Sequence, residues 1–310
     1  MEITSNIVPY FDRITETAYM KYCMAVSRHP FLEKMSEQDF SKFFQEETKA
    51  MQGLVSVNNG DCEGFLFYTL KDGVQLQCRI PVWGIGAAGK NAVKTTAYLF
   101  QYLAEKIVRS KTVAFSVHLY AYDLEIQKLF SFMQFGIQSE VGIRCIKDTW
   151  PVGGYNVREI GKNELEQRWK EVWSLLDRLI DQLRQSPVFY RCSEFTEELY
   201  RDFFIDAGTR VYIAENAGQI IGLIESNQEN LSMLFPGERA ANVGEAYVLP
   251  EYRGKNAAQA LLSYMDSRLL EENVKYEWLV HGTANPTARG FWNKYFETFE
   301  YELIRNIEPL

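Results

Sequence analysis

Little in this sequence is equipped to hold a metal, build a disulfide framework or cross a membrane. Histidine occurs only three times and no H-E-x-x-H is present, so a catalytic zinc helix is excluded and no metal site is expected. The five cysteines, at 23, 62, 78, 145 and 192, are odd in number, irregularly spaced and include no C-x-x-C pair. Reduced, mostly buried thiols are the expectation. No stretch has the roughly eighteen apolar residues of a membrane span, and residues 1–22 lack the basic region and apolar run of a signal peptide. Basic residues are in the minority: 33 Lys and Arg stand against 41 Asp and Glu, a net charge of −8. An acidic surface argues against nucleic acid or an anionic membrane as partner and is compatible with a cationic amine. The expected location is the cytoplasm.

What is present is ample core material, with 46% hydrophobic residues over 310 positions, enough for two domains of ordinary size. Residues 14–52 read as helical, with a start signal at Ser36 and Asp39. Two strands follow over 62–83, joined through the hairpin signal Lys71-Asp72-Gly73. Then come a helix over 90–109, a strand over 112–119, a short helix over 124–135 and a strand over 141–146. The second half repeats this order. An amphipathic helix spans 164–185, with Leu165, Trp169, Val172, Leu176, Leu179 and Leu183 as its apolar stripe. A helix near 196–204, a hairpin over 211–226 and a strand–helix–strand series to residue 307 complete it. The halves share short identities at nearly constant spacing. Gly89-Lys90-Asn91-Ala92 recurs as Gly254-Lys255-Asn256-Ala257, Val117-His118 as Val280-His281, and Ile143-Arg144 as Ile304-Arg305. Duplication is the simplest source. The turn-rich stretch 147–154 sets the expected boundary, giving domains 1–149 and 150–310.

The stretch 243–270 organises the second half. Val243, Tyr247, Val248 and Leu249 form a strand that Pro250 stops. From Lys255 the pattern turns helical, with Ala257, Leu261, Met265 and Leu269 on one face and Ala258 and Leu262 beside them. Between strand and helix, Arg253, Gly254, Lys255 and Asn256 place basic side chains and backbone N–H groups at a helix N-terminus, a site suited to a phosphate or pyrophosphate. This run resembles the acyl-CoA signature Q/R-x-x-G-x-G/A of the GCN5-related N-acetyltransferase (GNAT) superfamily, and the flanking Val248, Pro250, Glu251, Tyr252, Arg253 and Gly254 match the family wording. Asn256 stands where the family has its second glycine, and Asn tolerates the left-handed backbone such a turn needs. The resemblance implies an α/β (α+β) chain of two tandem GNAT-like acyl-CoA N-acyltransferase domains, mixed sheets flanked by helices. In the first half Gly84 to Gly89 matches G-x-G-x-x-G. However, Asn91 stands where a P-loop needs Ser or Thr, and no acidic residue follows at the ribose-binding distance. It reads as a worn copy of the acyl-CoA turn, and the first domain as degenerate, shaping the acceptor site or a homodimer without chemistry of its own.

The resemblance carries further. The family's second cofactor element has counterparts in Asn285, Ala288, Phe291 and Trp292, implying that Asn285 faces the pantetheine arm of acetyl-CoA and Phe291 packs beneath it. Arg253, Gly254, Lys255, Asn256, Ala257 and Ala258 are the implied pyrophosphate site. A backbone N–H of Tyr247, Val248 or Leu249 is the implied polariser of the thioester carbonyl. Trp292 replaces the tyrosine that protonates the leaving thiolate, and an indole N–H is no useful acid, so Tyr295 or water would serve. Glu245, on the strand near the point of entry, is the expected general base, or else an exposed strand carboxylate, with Glu225 next in line. His281 ends a strand nearby, and its repeat as His118 favours a structural role. The expected function is transfer of an acetyl group from acetyl-CoA to a primary amine of a small molecule or peptide by direct attack. The alternative is a non-catalytic acyl-CoA-binding or regulatory protein.

Overall fold

A computed structural model of the chain describes residues 2–147, 153–186, 188, 195–205, 208–229, 231 and 233–309. In chain order the first elements are β1 (Glu2–Thr4), α1 (Phe11–Val26), α2 (Glu37–Thr48), β2 (Gln52–Asn58), β3 (Asp61–Lys71), β4 (Leu76–Ile80), β5 (Ile85–Ala87), α3 (Ala92–Ile107), β6 (Val113–Tyr120), α4 (Leu124–Phe132) and β7 (Gly136–Cys145). There follow β8 (Asn156–Ile160), α5 (Lys162–Gln167), α6 (Trp169–Gln185), α7 (Glu197–Ile205), β9 (Thr209–Asn216), β10 (Gln219–Asn227), β11 (Ala240–Val248), α8 (Ala257–Glu271), β12 (Tyr276–Gly282), α9 (Pro286–Trp292) and β13 (Glu297–Ile307). Among the described residues no helix is long and apolar enough to cross a membrane.

The chain folds into two compact units, and the division departs from the expected 149/150 boundary. One unit is Met1–Val141 together with Glu297–Leu310; the other is Gly142–Phe296. The chain passes from one to the other within β7, and its last strand returns to the first unit. The expected linker falls later, and residues 148–152 of it lie outside the described residues, as does Cys192. The physical reason is pairing. Strand β13 lies antiparallel to β6 over eight residue pairs, from Glu300↔Tyr120 to Ile307↔Val113. The end of β7 runs beside β12, where Ile146 N–H donates to the Lys275 carbonyl at 2.8 Å. A hydrophobic strand pattern marks burial but does not name its partner, so this exchange was not legible from the sequence.

In the first unit the strands run β1–β2–β3–β4–β6–β13, antiparallel except for the parallel β4–β6 pair, and β5 pairs β3. One face packs α3 and α4 through Leu99, Phe100, Phe115 and Phe130. Helices α1 and α2 cover the aromatic cluster of Tyr22, Phe40, Phe44, Phe65 and Phe67. The Ser36 hydroxyl caps α2 by accepting from Asp39 N–H at 3.1 Å, as its sequence predicts. In the second unit the order is β12–β11–β10–β9–β8, again antiparallel except for the parallel β11–β12 pair. The same sequence of pairings in both units is what a duplicated mixed α/β domain requires. The core of the second unit joins Val172, Leu176 and Ile180 of α6 to Ile213, Leu223, Leu261, Met265 and Leu279.

Candidate functional site

The second unit is opened along β11. Pairing with β12 runs only from Ala240↔Tyr276 to Val243↔Leu279, whereas pairing with β10 continues to Gly222↔Val248. Beyond Val243 the two parallel strands diverge. The divergence begins at a bulge, where the register with β10 shifts between Ile224 and Ser226. Glu225 lies at this shift, fully buried, with its Oε2 accepting Glu245 N–H at 3.2 Å and its Oε1 accepting from Asn227 Nδ2 at 3.2 Å. Gly244 makes room for it: a Cβ there would stand 1.8 Å from Glu225 Oε2. A bulge of this kind re-aims the strand, and here it turns β11 away from β12.

Past the bulge, the backbone donors of β11 alternate between its two sides. Leu249 N–H is engaged by the Ile221 carbonyl at 2.9 Å. Val248 N–H therefore points the other way, into the opening. A short 3-10 turn, Pro250–Tyr252, leads to α8. Gly254 has φ +71° and Asn256 φ 67° and ψ 12°, so the left-handed turn expected of Asn256 is formed. Asn256 makes no side-chain cap, so the first-turn N–H groups of α8 are left without a side-chain acceptor. The same four-residue sequence in the first unit is built differently: Asn91 has φ −100° and ψ 8°.

Two adjoining cavities occupy the opening. The larger, of about 450 Å³, runs from Gly254, Ala257 and Ala258 along Tyr247 and Val248 to Ala288, Phe291 and Trp292, with Leu179 and Gln182 of α6 as its other wall. Arg253 lies across it. Its Nε donates to the Val248 carbonyl and its Nη2 to Gln182 Oε1, both at 2.9 Å, and its guanidinium sits 5.1 Å from the Tyr247 ring centre. Asn285 lines both cavities and also caps α9, its Oδ1 accepting from Thr287 and Ala288 N–H at 3.2 Å. Leu249, Lys255, Asn256 and Tyr295 are not among the lining residues. Leu249 is buried in the core, and Tyr295 packs on Phe291 with ring centres 5.1 Å apart.

The second cavity, of about 320 Å³, has Glu245 on its floor and Leu183, Phe195, Trp278, His281 and Trp292 around it. Glu245 accepts a hydrogen bond from the Tyr200 hydroxyl at 2.8 Å. Loss of solvent pushes its carboxyl above the usual range, against the pull of that hydrogen bond. Burial does the same to Glu225, to about 7, with the neighbouring Glu245 charge adding to it. His281 is buried at the rim, with Nδ1 3.4 Å from the Gly282 carbonyl. Tyr200 and Gln182 carried no signal that sequence reasoning could use, since each reads as an ordinary helix residue. Gly244 did carry one: a glycine inside a strand marks a bulge or a close approach.

The first unit is built differently at the equivalent elements. Lys21 of α1 pairs with Asp123 at 2.6 Å, where α4 begins, and Tyr122 donates to the Lys21 carbonyl at 3.0 Å. The strand that parallels β11 is broken into β4 and β5, with Phe67 N–H donating to the Gly84 carbonyl at 2.6 Å in between. Among the described residues of the whole chain, no group of three His, Cys, Asp or Glu is placed to hold a metal ion.

Against known proteins, residues 174–297 match the family model described as Acetyltransferase (GNAT) family. No curated protein matches the chain in sequence. Among solved structures, the chain resembles a GCN5-related N-acetyltransferase from Sphaerobacter thermophilus with a TM-score of 0.59 at 13% identity, over 95% of this chain and 92% of that one. It resembles a protein with a glucosamine N-acetyltransferase region, a fungal multi-domain GH3 beta-N-acetylglucosaminidase, with a TM-score of 0.52 at 11% identity, over 99% of this chain and 38% of that one. A tandem GNAT protein from the clavulanic acid biosynthesis pathway aligns over 99% of this chain and 98% of its own, at 15% identity and a TM-score of 0.49. At these identities the first two likenesses establish the fold.

Proposed function

We propose that this chain, whose residues 174–297 form a domain of the acetyltransferase (GNAT) family, transfers an acetyl group from acetyl-CoA to a primary amine in its second unit. The observation that carries the reading is the opened β11, which leads straight to an uncapped, left-handed turn at the start of α8. The residues present fit the cofactor. The first turn of α8 offers backbone donors for a pyrophosphate, and the cavity along Tyr247, Val248, Ala288 and Phe291 offers apolar walls for a pantetheine arm. Acetyl-CoA supplies the acyl group as a thioester. Val248 N–H is the donor free to polarise its carbonyl, narrowing the Tyr247–Leu249 expectation to one position. Glu245, at the floor of the adjoining cavity, takes the proton that an ammonium acceptor must lose before it attacks. Trp292 lines both cavities and contributes packing.

A second reading, a non-catalytic acyl-CoA-binding protein, draws support from the acid side. Trp292 stands at the cleft where a tyrosine would, and Tyr295 does not line it. Thiol release from acetyl-CoA, followed with and without a panel of primary amines, separates the two. Amine-stimulated release is the expected result; tight CoA binding with no stimulated release favours the second reading.

Arg253 gives an independent check on where the cofactor sits. Its guanidinium lies over Tyr247 at the mouth of the larger cavity, beside the α8 turn. Reversing that charge next to a pyrophosphate removes an attraction and adds a repulsion. Arg253→Glu is expected to weaken acetyl-CoA binding by at least about tenfold, more than about 1.4 kcal/mol. Wild-type affinity in this variant, measured by calorimetry, would move the pyrophosphate elsewhere.

A further inference from the structure

Resting on the acyl-transfer reading above, we propose that the acceptor is a monoamine on an apolar body about the size of one aromatic ring, bearing no second cation and no anion. The second cavity has the charge inventory for such a molecule and for few others. Among its described lining residues Glu245 is the only carboxylate, His281 is the only other ionisable side chain, and there is no Lys or Arg. The remaining walls are set by Leu179, Leu183, Phe195, Trp278 and Trp292.

The polar groups that do line the cavity are largely engaged elsewhere. Trp278 Nε1 donates to the Glu229 carbonyl at 2.8 Å, so its ring offers hydrophobic surface and a π face. Asn242 Oδ1 lies 3.3 Å from Asn227 Nδ2, and its own amide nitrogen lies 3.4 Å from the Trp278 carbonyl. One ammonium can enter and stay paired, because Glu245 meets it and the indole faces favour a cation. A second ammonium would be stripped of water with no partner, which is costly. A carboxylate or phosphate beside the amine would face Glu245 with no Lys or Arg among the described lining residues to offset it. A volume of about 320 Å³ lies at the small end of ligand pockets, roughly 300–1,000 Å³. That suits a single-ring amine and not a multi-ring polycation.

The test is a calorimetric titration of 2-phenylethylamine, phenylalanine and spermidine into the whole chain, free and saturated with CoA. Phenylalanine differs from the first amine chiefly by its carboxylate, and spermidine by its extra charges and lack of a ring. In the CoA-saturated protein, 2-phenylethylamine is expected to bind at least about tenfold more tightly than either, a gap of about 1.4 kcal/mol. In Glu245→Gln its advantage over phenylalanine should shrink to under about threefold, because the repulsive carboxylate is gone. Equal affinities, a preference for spermidine or phenylalanine, or no binding of 2-phenylethylamine by protein that does bind CoA would overturn the inference. Absence of CoA binding would overturn the reading it rests on, and the same amine series on the free protein would still decide the inference.

Discussion

Glu245→Gln is expected to lower kcat by roughly 10²–10⁴-fold while leaving acetyl-CoA affinity unchanged. The substitution keeps the size of the side chain and its ability to accept from Tyr200, but removes the base. Glu245 lines the second cavity and not the larger one, which is why the cofactor should not register the change. The pH profile adds a signature. Burial raises the Glu245 carboxyl above its ordinary range, and Glu225, pushed to about 7, lies close enough to interact with it. A base must be deprotonated to act, so wild-type kcat should fall as the pH drops through these raised values. The acid limb then belongs to the pair of carboxyls rather than to either alone. In Glu245→Gln the residual rate should lose that limb or shift it. Trp292→Phe, which removes the indole N–H with part of the ring but keeps an aromatic wall at the cleft, should change kcat little. Turnover at the wild-type rate by Glu245→Gln across the pH range would reduce Glu245 to a structural carboxylate and turn attention to Glu225.

The second large effect concerns what holds the walls of the cleft. Arg144, on the part of β7 that belongs to the second unit, donates from Nε to Glu277 Oε2 and from Nη2 to Asp266 Oδ1, both at 2.5 Å. Both carboxylates have 0% exposure, one on β12 and the other on α8, the elements that flank the cleft. Arg144 also stacks on Phe296, with its guanidinium carbon 4.7 Å from the ring centre. Two buried acids share one cation, and desolvation with their mutual repulsion pushes Asp266 to about 8. Glu277 is raised as well, chiefly by desolvation.

Arg144→Met leaves both acids buried without a cation, and such a loss typically costs about 3–5 kcal/mol. The deficit should depend on pH with a definite sign. A carboxyl whose folded pKa is raised contributes fully to stability below its ordinary range and loses that contribution as the pH rises through the folded value. The wild-type second unit should therefore lose stability as the pH climbs from about 4 through Asp266's value of about 8. Without Arg144 both acids must stay protonated to remain buried, so the variant's deficit should be largest near pH 8 and smaller at pH 5. Urea unfolding followed by tryptophan fluorescence at the two pH values reads this directly. A deficit below about 1 kcal/mol, smaller than the removal of any buried ion partner, or one that does not change with pH, would contradict it.

Particular residues show how far the sequence could be read. The left-handed turn before α8 was legible because its geometry is local: a strand-stopping Pro250, a Gly and an Asn for left-handed backbone, and a helical period directly after. The same letters at 89–92 were weaker evidence than they looked. Asn91 never enters the left-handed region. Strands β2 and β8 escaped notice. The first, Gln52–Asn58, falls between the helical pattern of 14–52 and the hairpin over 62–83, and the second is only Asn156–Ile160. The apolar stripe of α6 divides: Trp169, Val172 and Leu176 are buried, together with Leu175 and Ile180, whereas Leu179 and Leu183 line the cavities. Periodicity identifies a face that avoids water; it does not distinguish a face covered by protein from one covered by a ligand. Tyr295 stands one helical turn beyond Trp292 by spacing, but α9 ends at Trp292 and the tyrosine packs on Phe291.

One CoA site per chain is expected, at the opened β11 of the second unit. Titration of acetyl-CoA into the full-length chain in a calorimeter tests it most directly, run in parallel on wild type and Arg253→Glu. A stoichiometry of one is expected for the wild type, and binding at least about tenfold weaker for the variant. Two tight sites per chain, or a single site indifferent to Arg253→Glu, would contradict it.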